Sequence, residues 1–298
     1  MNRSPNARLR IVALLVAAVA VHAVFCLSLQ HHFLNRFFYI GMHSRGQGAC
    51  FFGIYQAGAN LNEGESIYAC DTYYAPASVA VPFYHHYRYL PFTAYVSAAA
   101  ARLVGPWQAY WLWIALNEIL LAACIILTLR LRRYYGDAAL IAAEFWLLFS
   151  PLYVELYMGQ FCFAMTTMVF LLMYPSLKER AAPSAVAPER GSALRRLAPL
   201  VWIMSLLLKT FTAIFALTFV RMGKRRLVVA GGAAVLATSL PYYLSRPQDL
   251  SWFVQMNINP IPSYTAGGYF GFSALLREIA THVMRLPAAG KIDLGAFD

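Results

Sequence analysis

Lys209 lies at the centre of a 24-residue stretch, LAPLVWIMSLLLKTFTAIFALTFV, that carries no other charge. A lysine in hydrocarbon costs roughly 2.5–3.5 kcal/mol even on the lenient insertion scale, so such a residue faces a protein interior or a wet cavity. The chain must therefore enclose this cation among helices, and the role that best accounts for its retention is to hold an anion. The alternative is a structural pair with a membrane carboxylate such as Glu118, Glu144 or Glu155.

The rest of the sequence supports that reading. Hydrophobic residues make up 60% of the chain and charged residues 12%, a composition that excludes an ordinary soluble domain and points to an all-α, polytopic membrane protein. Segments 11–29, 107–129, 138–158, 160–177 and 227–245 are each apolar enough to cross about 30 Å of hydrocarbon. Arg3, Arg8 and Arg10 precede the first of them, whose apolar run is longer than a signal core, so it reads as an uncleaved anchor.

Lysine and arginine accumulate in cytoplasmic loops. With the N-terminus inside, one topology keeps every large basic cluster there: Arg130, Arg132 and Arg133; Lys178, Arg180, Arg190, Arg195 and Arg196; Arg221, Lys224, Arg225 and Arg226. It makes residues 1–298 one membrane domain, with 30–106 as a long first extracytoplasmic loop, 179–196 as a cytoplasmic linker and 246–298 as an extracytoplasmic tail. It also requires the Lys209 segment to enter and leave from the same side, as two short helices meeting near Lys209 and Thr210. A straight helix is the alternative that length alone permits.

Within the first loop, residues 51–61 read as a helix lying at the membrane surface, and YHHYRYLPFTAYVSAAAARLVGPW as a second, partly apolar helix. His31, His32, His43, His85 and His86 show no metal-ligand spacing, so neither a metal nor another cofactor is expected. Cys26, Cys124 and Cys162 read as small apolar residues within spans. Cys50 and Cys70 share the outer loop, which leaves a bridge between them open. Nothing in the composition calls for a nucleic-acid partner.

The order GIYQAGANLNEGESIY, YRYLPFTAY, SPLYVELYMGQ, SLLLKTFTAIFAL before a basic cluster, and GYFGFSALLR resembles glycosyltransferase family 87. These are polyprenol-phosphate-mannose-dependent mannosyltransferases of the multi-span type C class. The resemblance implies a type C helical bundle in a plasma membrane, the bacterial inner membrane. It implies an enzyme that passes a hexose, mannose in this family, from a polyprenyl-phosphate-linked donor to a hydroxyl of a glycan or glycolipid acceptor on the extracytoplasmic face. A general base should take the acceptor proton, and a cation should stabilise the departing phosphate.

The resemblance also assigns residues. Cys50 falls where the family carries its catalytic aspartate, and Glu65 and Asp71 follow in the same loop as replacement bases. Lys209 leads for the phosphate, followed by Arg88 and Arg277. Gln160, of the family Gly-Gln pair, with Tyr55 and Gln56, is assigned to the sugar. Family members carry more spans after the region of Gly268 to Arg277, so the chain reads as shortened at its C-terminus. The missing aspartate leaves a second reading: a non-catalytic relative that binds or moves lipid-linked sugars.

Overall fold

A computed structural model describes residues 5–35, 47–70, 76–82, 84–181 and 193–258. Among these residues the chain is helical and contains no β-sheet, and apolar helices of spanning length make it an all-α membrane protein.

The first helix, α1 (Pro5–His31), exposes Val16, Val19 and Leu27. Such apolar surface suits lipid rather than water. Two more single helices, Pro106–Arg130 and Arg225–Ser245, are long and apolar enough to span. The segment 138–158 is not one straight helix. It is bent by 43° between Asp137–Leu148 and Pro151–Met158, because Pro151 has no N–H to continue the ladder and Phe149 turns extended before it. The stretch expected over 160–177 forms the shorter apolar helix Cys162–Lys178. Three single helices and the bent pair are thus long and apolar enough to span, and the helix from Cys162 is apolar as far as Lys178.

The loop helices exist, and the first is covered by the rest of the protein. In chain order after α1, α2 (Ala49–Asn62) buries nearly every residue from Phe52 to Asn60. It packs closely on α3 (Pro91–Leu103), which starts at Pro91 where a missing N–H costs nothing. Next come α4 (Pro106–Arg130), the short α5 (Arg132–Tyr135), α6 (Asp137–Leu148), α7 (Pro151–Met158) and α8 (Cys162–Ala181). Helix α1 packs on α6 and α7, and α4 packs on α6 and α8. Glu118 of α4 is occupied within this bundle: its Oε2 lies 2.9 Å from His22 Nε2 on α1. Cys26 Sγ lies 3.6 Å from the same imidazole nitrogen, so Cys26 is a polar neighbour there and not merely an apolar filler.

The Lys209 segment is a hairpin. Helix α9 (Ala193–Leu208) ends at Lys209, whose backbone is extended (φ −153°, ψ 114°). A 3-10 turn (Thr210–Ile214) and α10 (Phe215–Arg221) lead back. In a straight helix Trp202 and Thr212 would lie about 15 Å apart, yet Trp202 Nε1 donates to the Thr212 carbonyl at 3.2 Å. The Ser205 and Thr212 hydroxyls are also 3.2 Å apart, and the Trp202 and Phe219 rings sit 5.0 Å apart edge to face. The fold-back reading therefore describes the structure, and the straight helix does not.

Trp202 is buried against Gly231 of α11 (Arg225–Ser245). Trp202→Ala should cost about 3–5 kcal/mol, the usual loss for emptying a large aromatic site. A melting curve in detergent checks this, and a variant as stable as the parent would contradict the hairpin contacts. The last described helix, α12 (Pro247–Ile258), is tied to the loop after α2 through buried Asp249, whose Oδ2 accepts from Ser66 Oγ at 2.7 Å and from the Tyr242 hydroxyl.

Candidate functional site

The hairpin tip meets the start of α8 and the loop elements. Lys209 Nζ donates to Cys162 Sγ at 2.8 Å, and the Leu208 carbonyl accepts from Thr93 Oγ1 of α3 at 3.5 Å. Cys162 is thus the ammonium's neighbour rather than a simple apolar filler. Among the described residues Lys209 makes no salt bridge, but its charge and that of Glu155, one of the carboxylates considered as its partner, act on each other.

Glu155 comes closest to compensating it. One turn before the end of α7, its Oε2 accepts from the Cys162 amide at 3.1 Å. One residue therefore holds the carboxylate through its backbone and touches the ammonium through its side chain. Gly159 makes this turn possible. At φ +66° it adopts a conformation that other residues rarely tolerate, and a Cβ there would come within 2.5 Å of Phe51 Cβ. The Gln160 amide then returns to the Glu155 carbonyl at 2.9 Å. Gly159→Ala should displace both Glu155 and Phe51 and cost more than the usual 1 kcal/mol or so for a lost glycine conformation. Unchanged thermal stability and unchanged activity would refute this.

Cys50, at the first turn of α2, belongs to the same cluster. Its Sγ lies 3.7 Å from His85 Nδ1, and the His85 amide donates to the Ala49 carbonyl at 3.0 Å. Glu155, Lys209 and Arg88 are all near enough for their charges to act on the Cys50 thiol. Burial, reinforced by Glu155, pushes that thiol up to about 12. A thiol that holds its proton so firmly cannot serve as a base near neutral pH. Alkylation of Cys50 at pH 8 should accordingly be far slower than that of a free thiol near its usual pKa of about 8.5, and rapid labelling would overturn the burial argument. His85 is shifted the other way: burial first, then Arg88 and His86, lower its pKa and keep it neutral.

Aromatic rings form the wall beside these groups. Phe161 stacks on Trp113 of α4 with centroids 4.3 Å apart, and Tyr89 lies 5.9 Å from Phe161. Phe51 also stacks on Trp113, at 6.4 Å. On this wall two buried polar atoms have no partner among the described residues: the Trp113 Nε1 donor and, one turn along α4, the Asn117 Oδ1 acceptor. Unsatisfied buried groups of this kind cost about 1–3 kcal/mol each unless a ligand or water meets them.

The remaining assigned residues lie in different places. Arg88 is exposed and faces the cluster electrostatically. Half-buried Gln160 lies next to it, its Oε1 3.6 Å from Cys162 Sγ. Tyr55 and Gln56 turn their polar ends into the protein: the Tyr55 hydroxyl donates to the Val104 carbonyl at 2.7 Å, while Gln56 bonds Asn60 Oδ1, the Ser78 carbonyl and the Ala80 amide. Glu65 follows the far end of α2, about 20 Å of helix away from Cys50. Asp71 and Arg277 lie outside the described residues. Cys50 and Cys70 are not bridged.

Sequence reasoning named Glu155 only as a structural partner for Lys209, and did not assign Trp113, Asn117 or His85 to this cluster. A carboxylate one turn ahead of the Gly-Gln pair was the signal available.

No curated protein and no solved structure gives a significant match to the chain. The model of Glycosyltransferase family 87 matches residues 87–286, a segment that contains Arg88, Trp113, Glu155, Gln160 and Lys209 but begins after Cys50. A match over most of an all-α membrane chain, covering the elements that bring a lysine, a carboxylate and an aromatic wall together, means that the chain belongs to glycosyltransferase family 87.

Proposed function

We propose that this membrane glycosyltransferase moves a hexose, mannose on the resemblance, from a polyprenyl-phosphate-linked donor to a hydroxyl of a glycan or glycolipid on the extracytoplasmic face. The observation that carries the reading is Lys209: a lysine at a hairpin tip, in no salt bridge among the described residues, with Glu155 nearby. Donor phosphate supplies the anion it lacks. Arg88 gives a second cation from the loop side.

In the reaction, the acceptor oxygen forms a bond to C1 of the sugar and passes its proton to the Glu155 carboxylate. The bond from C1 to the phosphate oxygen breaks, and its electron pair leaves with the polyprenyl phosphate, whose growing charge Lys209 and Arg88 stabilise. Preorganised charges in a site that excludes water are strongly effective in such a step. Glu155 thereby fills the role left open by the thiol at Cys50. The Trp113 indole N–H and Asn117 carbonyl oxygen give sugar hydroxyls a donor and an acceptor, and the aromatic wall packs against the apolar side of the ring.

Incubating the purified protein with an acceptor and either a polyprenyl-phosphate-hexose or a nucleotide sugar tests this reading. Transfer from the lipid-linked donor alone is expected; transfer from the nucleotide sugar would contradict it, and donor binding without transfer would favour the non-catalytic reading. Trp113→Phe keeps the ring but removes the donor, and should weaken donor affinity about 5- to 10-fold, the usual worth of one hydrogen bond. Unchanged affinity in a titration would remove Trp113 from the sugar site. The topology is open to the same kind of check: labelling that placed Tyr264 in the cytoplasm would put the active side on the wrong face.

A further inference from the structure

At the hairpin's open end, away from Lys209, α8, α9, α10 and the start of α11 enclose a cavity of about 860 Å3. Its lining combines apolar Leu172, Ala198, Pro199 and Phe219 with consecutive Lys224, Arg225 and Arg226, and Lys224 Nζ lies 6.0 Å from the Phe219 ring centroid. These cations make no ion pair among the described residues, and all three are exposed. They stand at the first residues of a candidate membrane span, Arg225–Ser245, which places them where hydrocarbon gives way to headgroups.

A ligand for this cavity must be anionic at one end and apolar at the other. Free phosphate would satisfy the cations and leave the apolar half empty, whereas a neutral lipid would fill the apolar half and leave the cations unpaired. We propose that the cavity binds an acidic glycerophospholipid, its phosphate on Lys224, Arg225 and Arg226 and the start of its acyl chains against Ala198, Pro199 and Phe219. Basic pockets between membrane helices recognise acidic headgroups in this way, and clustered cations near the surface add their contributions. Because the cavity wall includes both arms of the hairpin, the bound lipid holds α9 and α10 together at the end opposite the tip. The inference stands independently of the transfer reading.

The test uses the whole purified protein in detergent and measures retention of phosphatidylglycerol against phosphatidylcholine of identical chains by native mass spectrometry. Phosphatidylglycerol should be retained at least tenfold more strongly. The combined variant Lys224→Gln, Arg225→Gln, Arg226→Gln should lose most of that preference, on the order of 100-fold in affinity for three cations near the surface. Ala198→Phe, which fills the apolar half, should weaken phosphatidylglycerol while leaving any binding of inorganic phosphate unchanged. Equal retention of the two lipids, or a preference that survives the triple substitution, would overturn the proposal. Full displacement of the lipid by inorganic phosphate at equal concentration would show a simple anion site and overturn the lipid assignment.

Discussion

Glu155→Gln should lower the rate of sugar transfer about 10²- to 10⁴-fold, the contribution of a positioned general base. Glutamine retains an oxygen that can accept from the Cys162 amide, so the turn into α8 should survive and the protein should melt close to the parent temperature. Donor affinity should change little, because the proton is taken from the acceptor. A fall in turnover with donor binding intact separates a catalytic carboxylate from a helix cap, which would lower stability instead. If Glu155→Gln is fully active while His85→Gln is not, the neutral imidazole beside Cys50 takes the proton.

Lys209→Met should cost about 10²- to 10³-fold in transfer, the range seen when one preorganised stabilising group is removed from a developing negative charge. Methionine keeps most of the volume and sits comfortably among apolar helices. Unlike the Glu155 variant, this one should also bind the lipid-linked donor more weakly, since the phosphate is charged before the reaction as well as during it. Stability should hold or rise, because an uncompensated ammonium within a membrane protein carries its own penalty. Normal donor binding in the folded variant would remove Lys209 from the phosphate site.

The helical, membrane-spanning character of the chain was legible because apolar runs and basic clusters are one-dimensional signals. So was the break at Lys209, which charge placement favoured over a straight helix and which the Trp202 to Thr212 contact displays. The second loop helix reads in the sequence over residues 84–107, but it starts only at Pro91, whose ring fixes the first turn, and stops at Leu103. The bend ahead of Pro151 was hidden because a hydropathy window averages across the one residue that breaks the ladder.

The site was legible only in part. Lys209 and Gln160 could be found from their own neighbours in sequence. Glu155 was one of three carboxylates named as partners for Lys209, and only the turn into α8, which meets both groups at Cys162, singles it out. Tyr55 and Gln56 were assigned to sugar because polar and aromatic residues in an outer loop suggest carbohydrate. Their hydrogen bonds inside the protein depend on how α2 is covered, which no local pattern encodes.

The most direct test is to measure transfer from a polyprenyl-phosphate-hexose by the double variant Glu155→Gln, Cys50→Asp beside Glu155→Gln alone. If one carboxylate and Lys209 serve a single site, an aspartate at position 50 returns the missing base from the other wall, and transfer should recover at least tenfold over the single variant. Cys50→Ser in the same background should restore nothing. A double variant as inactive as Glu155→Gln, with both proteins folded and still binding donor, would contradict the claim that Cys50, Glu155 and Lys209 face the same reacting atoms.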